Sequence, residues 1–361
     1  MHISNPSRTL SAAALVAALG AIALLADSFS FYDETILVSD IPHQGRFDPN
    51  VVNAWGLDAG PTSPWWVNTN GTGLSLILDG TGAQVRQPAQ VTALGAAGTS
   101  DPTGIVFNPF NGSGDFKLDA TNPAFFIAAT EEGTVSGWNP NVNLYNTSTI
   151  KVNNNAAMAV YKGIAIGQMS NGQKVLYVTN FHAGTVEVYD TNFSPVTLTG
   201  SQFQAGVPAG FAPFGAQNIN GSIYITYAKQ DAAAHDDVAG PGNGYVAQFT
   251  QDGTLVQMLQ HGDWMNSPWG MALAPDNFGV LSGRLLVGMF GGGQIASFDP
   301  ITGNFTGLMI SHGNHPVQID GLWGLKFGNG ASAGPANTLF FTAGPQDESQ
   351  GLFGTLTPKH S

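Results

Sequence analysis

The sequence predicts an all-β chain folded as a six-bladed β-propeller with four-stranded blades, its ring closed by an N-terminal strand that completes the last blade. Three observations predict it. A short glycine-centred motif recurs six times, a second apolar strand follows each copy, and the composition suits many short strands joined by tight turns.

The motif copies are Ala54-Trp55-Gly56-Leu57, Pro102-Thr103-Gly104-Ile105, Tyr161-Lys162-Gly163-Ile164, Pro213-Phe214-Gly215-Ala216, Pro268-Trp269-Gly270-Met271 and Leu322-Trp323-Gly324-Leu325. Successive glycines are 48, 59, 52, 55 and 54 residues apart. A period near fifty is that of a four-stranded blade.

Each copy is followed by an apolar run ending in a polar or small residue, from Trp65-Trp66-Val67-Asn68 in the first unit to Leu339-Phe340-Phe341-Thr342 in the last. A glycine-led third strand comes next, clearest in 184–190 and 293–299, where apolar residues alternate with polar ones as in a half-buried strand. A looser fourth strand completes several units, as in 253–259. The last unit ends one strand short, and Thr35–Ser39, a strand preceding the first unit, is expected to close the ring as its outer strand.

Hydrophobic residues make up 43% of the 361 and charged residues only 10%, with 47 Gly and 21 Pro. Gly and Pro supply the backbone angles that tight turns need, and the profile excludes both a helical bundle and a disordered chain. The formal net charge of −13 has the wrong sign for a phosphate-binding surface, so no nucleic acid is expected as a partner, nor an anionic membrane surface. There is no cysteine, which removes disulfides, zinc-thiolate sites and thiol nucleophiles.

Arg8 precedes an apolar run, Leu10 to Ala26, that ends in small residues before Asp27-Ser28. This predicts a cleaved signal peptide over 1–26, a single propeller domain over 27–361, and a secreted or periplasmic protein without a membrane contact after cleavage. The alternative is an uncleaved anchor, for which seventeen residues is short. Six Asn-x-Ser/Thr sequons, at Asn70, Asn111, Asn146, Asn192, Asn220 and Asn304, are glycan acceptors in a eukaryotic host.

In a four-stranded blade, the loop entering the inner strand and the loop between the second and third strands emerge on one face. Those loops carry Asn53, Asn70, Asp101, Glu131-Glu132, Lys162, Asn180-Phe181-His182, Asn266, Asp320 and Gln346-Asp347-Glu348, a ring of acids, amides and imidazoles around one mouth. Blade four inserts a long polar loop containing Lys229, Asp231 and His235-Asp236-Asp237. A long polar loop on a rigid scaffold is a candidate ligand site, and His235-Asp236-Asp237 is a candidate hard-metal or general-base cluster. The same residues also read as an Asx-rich turn satisfying its own backbone. Trp55, Trp269 and Trp323 read either as an aromatic platform for a planar ligand or sugar, or as packing between blades. His312 and His315 lie in the turn-like Ser-His-Gly-Asn-His-Pro. No nucleophile elbow, P-loop, dinucleotide fingerprint or zincin helix is present.

Leu37-Val-Ser-Asp40, Asn53-Ala-Trp-Gly56, Thr130-Glu-Glu-Gly133, Asn180-Phe-His182, Tyr227-Ala-Lys-Gln-Asp231, His235-Asp-Asp-Val-Ala-Gly240 and Asp320-Gly-Leu-Trp-Gly324 together resemble a family of exported bacterial and fungal proteins, labelled conserved hypothetical, whose propeller is related to NHL-repeat proteins. The resemblance spans the mature chain and implies the fold and export, with no activity attached. A broader likeness is to calcium-dependent lactonases of the gluconolactonase and paraoxonase type. It implies a calcium ion in the channel held by oxygen ligands, for which Asp101, Glu131, Asn180, Asn266 and Asp320 are the equivalents by blade position, with His182 or His235 as general base.

Three functional expectations follow. One is an exported propeller binding a small molecule, glycan or protein at the mouth, with Trp55, Asn180, Lys229, Asp231, Asp236, Asp237, Trp269 and Trp323 as ligand contacts. The second is a calcium-dependent lactonase or esterase, and the third a structural or surface-layer role. The oligomeric state leaves no signal in the sequence.

Overall fold

Six strands, one from each motif, stand around an axial channel, and the motif glycines set how closely they approach. A Cβ on Gly56 would lie 2.2 Å from the Thr103 carbonyl oxygen of the next inner strand, and one on Gly270 would lie 2.2 Å from that of Trp323. No side chain fits there, so the spacing of the inner strands requires glycine. The computed structural model describes residues 29–95, 98–143 and 146–360; the signal segment 1–26 lies outside the described residues.

Strand β1 (Phe29–Ser39) and the short β2 (Arg46–Phe47) precede the first motif. Blade one is then β3 (Ala54–Asp58), β4 (Trp65–Thr69), β5 (Leu74–Leu78) and β6 (Gln84–Gln90), antiparallel and in chain order outward from the axis. Blade two is β7 (Pro102–Phe107), β8 (Phe126–Thr130), β9 (Thr134–Trp138) and β10 (Thr149–Asn153). Blade three is β11 (Tyr161–Gln168), β12 (Lys174–Asn180) and β13 (Thr185–Tyr189). Blade four is β14 (Phe211–Ile219), β15 (Ser222–Lys229), β16 (Gly244–Thr250) and β17 (Leu255–Met258). Blade five is β18 (Pro268–Leu273), β19 (Leu285–Met289), β20 (Ile295–Phe298) and β21 (Phe305–Leu308).

The remaining strands are β22 (Ile310–Ser311), β23 (His315–Pro316), β24 (Leu322–Phe327), β25 (Leu339–Ala343) and β26 (Leu352–His360). With β1 and β2 they form one seven-stranded sheet. The expected ring of six four-stranded blades closed by an N-terminal outer strand is therefore corrected: the fold is five blades and a curled, half-barrel sheet.

The pairing of β1 explains the difference. It runs antiparallel to β26 from Phe29↔His360 to Ser39↔Leu352, but it does not end the sheet. Its other edge pairs in parallel with β22 at Tyr32↔Ser311 and with β2 at Val38↔Arg46. Register shifts at Phe29/Phe31 and Ile36/Val38 bend this strand, as bulges do, and the sheet curls around the enlarged core. The Tyr32 hydroxyl anchors that core by donating to the Phe278 carbonyl at 2.7 Å. His312 sits in the hairpin turn joining β22 to β23, and His315 begins β23, paired with Ser311.

Blade three also departs from four strands. After β13 the Asp190 carboxylate caps a tight turn by accepting from the Asn192 and Ser194 backbone N–H groups. The chain then meets β13 at the isolated bridge Tyr189↔Pro195 and through the Val196 N–H, which donates to the Val188 carbonyl at 2.8 Å, and proline has no N–H to extend this into a ladder.

Hydrophobic clusters fill the spaces between neighbouring sheets, and a separate aromatic cluster lies on the axis. The face on which the second-to-third-strand loops emerge is called the upper face below.

Candidate functional site

The residue before each motif glycine is Trp55, Thr103, Lys162, Phe214, Trp269 or Trp323, and this shared register directs it toward the axis. Trp55 and Trp323 stack with ring centroids 3.7 Å apart, and Phe290 stacks on Trp323 at 3.8 Å. Trp269 meets both tryptophans edge-on, and Phe214 and Phe181 complete the cluster. These rings plug the upper part of the channel. Trp323 is stacked by both Trp55 and Phe290, and Trp55 and Trp323 are each 1% exposed, so they serve as packing between sheets rather than an open platform.

Lys162 is the one charged member of this register. Its side chain is 2% exposed, and its ammonium lies 5.2 Å from the Trp55 ring centre and 5.9 Å from that of Phe181. It donates to Glu131 Oε1 and, at 3.1 Å, to Asp236 Oδ1. Burial opposes its charge, but the two carboxylates outweigh burial and hold the ammonium above the usual lysine range. The same pairing holds the Asp236 carboxyl below its ordinary value against the effect of burial.

Around this pair runs a chain of polar contacts. Glu131 Oε2 accepts from Asn70 Nδ2 at 2.9 Å, and Asn70 Oδ1 accepts from Asn53 Nδ2 at 3.3 Å. Asn53 Nδ2 also donates to Glu348 Oε2, while its Oδ1 accepts from Trp323 Nε1 at 2.9 Å. Three successive residues, Gln346, Asp347 and Glu348, have φ of 55°, 50° and 63°, a strained left-handed run that curls Glu348 back over blade one. Burial, reinforced by the negative charge of Glu131, pushes the Glu348 carboxyl up to about 7. Burial likewise raises Asp101, Glu132 and Asp237. The mouth therefore crowds six carboxyls around one ammonium, and four of them are held toward their neutral form.

Two buried indole nitrogens here, those of Trp55 and Trp269, have no hydrogen-bond partner, and Ser267 Oγ and Asp237 Oδ2 have at most each other. Ser267 precedes Trp269 by two residues, and Asp237 faces both Ser267 and Lys162. Donors and an acceptor thus lie together under the blade-four insertion.

The insertion divides into two parts. Asp231 Oδ1 accepts from the His235 and Asp236 backbone N–H groups, which makes Asp231 a turn residue serving its own loop. His235 and Asp236 project beyond it, with His235 Nδ1 3.0 Å from Asp236 Oδ1. Lys229 is exposed at the end of β15.

Of the residues proposed from the sequence as metal ligands, the structure brings Glu131 together with His235 and Asp236, whose ligand atoms lie within 4.8 Å of one another. Asp101 lies near Glu131 and His235 without joining that group. The others are engaged elsewhere. Asn180 donates to Glu187 at 2.7 Å, Asn266 Oδ1 accepts from the Gly240 N–H at 2.7 Å, and Asp320 Oδ2 accepts from the Gln346 N–H at 2.9 Å. His182 sits in the loop after β12, where its carbonyl accepts from Gln230. Lys162, Asn53, Asn70 and Glu348 were placed around the mouth from the sequence but were not singled out there as ligand, metal or catalytic residues. For Lys162 the signal was available, since it stands where four of the other five motifs place an aromatic ring.

No protein-family model matches the chain. It is 30% identical over 328 residues to Uncharacterized protein R648 of Acanthamoeba polyphaga mimivirus, covering 89% of this chain and 78% of that one. Among solved structures it is similar to a glucose dehydrogenase, with a TM-score of 0.54 at 12% identity over 86% of this chain and 98% of the other. It is similar also to the soluble aldose sugar dehydrogenase of Escherichia coli in its apo-form, with a TM-score of 0.53 at 11% identity over 91% and 100% of the two chains. At these identities the likeness is one of propeller fold.

Proposed function

The chain belongs to the family of the mimivirus protein R648, and we propose that it is an exported binding propeller whose upper mouth takes a small hydroxyl-rich molecule, such as a monosaccharide or alditol. Export rests on Arg8 and the apolar run Leu10 to Ala26.

One observation carries the ligand class: the buried indole N–H groups of Trp55 and Trp269 have no partner within the chain, and Ser267 Oγ and Asp237 Oδ2 have at most each other. Buried polar groups normally have partners, and leaving them without costs about 1–3 kcal/mol each. A hydroxyl both accepts and donates, so one polyol satisfies an indole N–H and a carboxylate together. The carboxyls raised by burial favour the same partner, because a partly neutral acid exchanges hydrogen bonds with hydroxyls without needing a counter-ion. Saturation-transfer NMR with neutral monosaccharides and alditols tests this reading. It requires a signal that is weakened by Asp237→Asn and Trp269→Phe.

The calcium-dependent hydrolase reading has one observation in its favour, the grouping of Glu131, His235 and Asp236. The donor set does not fit a divalent ion, however. The Lys162 ammonium is hydrogen-bonded to both carboxylates and fills the place of the cation between them. A divalent ion there would face that ammonium across a few ångströms in a desolvated site.

A further inference from the structure

The channel is closed above by aromatic rings but not below. Beneath Trp269 a narrow axial space of about 20 Å³ is walled by the residues that follow the motif glycines, among them Leu57, Ile105, Ile164, Met271 and Leu325. It lies above two clefts of about 200 and 230 Å³ on the lower face, and the clefts share Gln217, Asn218 and Lys326. Taken together these clefts reach the size of a small-ligand pocket, roughly 300–1,000 Å³.

Their chemistry differs from that of the upper mouth. The third residues after the glycines line the rim, and Phe107, Ile166, Leu273 and Phe327 make it mainly apolar. The second residues after the glycines are apolar in three inner strands and polar in three: Asp58, Gln217 and Lys326. Asp58 is buried and spent, accepting from the Ala59 and Phe107 N–H groups and from Lys326. Lys326 is 31% exposed and has three donors, of which the Asp58 contact uses one. The larger cleft contains no acidic residue at all. On a chain of net charge −13, the lower mouth sets a lysine, paired through one of its donors with Asp58, beside the amides Gln217 and Asn218 and an apolar rim.

We propose that the lower mouth is a second binding site, which takes a small apolar molecule carrying one anionic group, an aromatic carboxylate or sulfonate, with Lys326 and Gln217 holding the anion and Phe107, Leu273 and Phe327 its apolar body. The site stands on residues separate from the upper mouth and does not depend on the reading given there.

The test is a fluorescence titration of the folded full chain with anilinonaphthalene sulfonate, an apolar aromatic anion, with benzoate as competitor. Saturable binding at one site, displaced by benzoate, is expected, and Gln217→Glu is expected to weaken it at least about tenfold by setting a carboxylate against the anion. Lys326→Met is expected to do the same. Because that change also leaves Asp58 without its counter-charge, Gln217→Glu decides the matter if Lys326→Met fails to fold. The absence of saturable binding by the folded chain, or unchanged affinity in Gln217→Glu, overturns the proposal.

Discussion

The Lys162 ammonium lies 5.2 Å from the centre of the Trp55 ring, enclosed with it at the top of the channel and paired with Glu131 and Asp236. A charge so placed is costly unless paired, and removing one partner leaves the other's charge uncompensated. Lys162→Met is predicted to destabilise the fold by about 3–5 kcal/mol at pH 7. Adding Glu131→Gln to that variant should restore part of the loss. Urea unfolding of the two variants measures both effects, and a fully stable Lys162→Met would show that the ammonium is not the counter-charge of this site.

Glu348 makes stability depend on pH. Its carboxyl is raised from the ordinary 4.5 to about 7, so between those values the folded chain holds a proton that the unfolded chain has given up. The stability this group contributes at low pH is lost as pH rises through about 7. Glu348→Gln, neutral throughout, is predicted to raise the melting temperature at pH 8 by roughly 2–4 °C and to leave it nearly unchanged at pH 4.5. Thermal melts across this range check the sign.

The inner ring depends on its glycines. Gly270→Ala is predicted to cost about 3 kcal/mol or more, because the new Cβ meets the Trp323 carbonyl, which is backbone and cannot swing away. Gly184→Ala has open space and a φ of +69°, so only about 1 kcal/mol of left-handed strain is expected. Denaturant unfolding of the pair separates crowding from backbone conformation.

Those glycines were also the most legible part of the fold. The close approach they permit is a local requirement, and it appears in the sequence as a recurring residue at a steady spacing. The curled sheet was not legible, because it arises from β1 pairing at once with the nearby β2 and with β26 and β22, segments far from it in the chain. Candidate site residues divide in the same way. Lys162 follows from its register beside Gly163. Glu348 reaches Asn53 through three left-handed residues that include no glycine, a conformation that composition does not announce. Asn180 ends β12, and nothing in the sequence pattern announces that Glu187 takes its amide, because that contact depends on how β12 and β13 pair.

Calcium offers a further check. With Lys162 between Glu131 and Asp236, chelator is predicted to leave the melting temperature unchanged, and added calcium should not raise it. A rise with calcium that disappears in Glu131→Gln would show an ion displacing the ammonium.

The central claim is that the upper mouth holds a hydroxyl-rich ligand through polar atoms that lack partners within the chain. Saturation-transfer difference NMR on the full chain with glucose, galactose, xylose, sorbitol and inositol tests it most directly. The account predicts saturation transfer to at least one of these, reduced severalfold in the Asp237→Asn, Trp269→Phe double variant. No transfer to any of them, or equal transfer in the double variant, would contradict it.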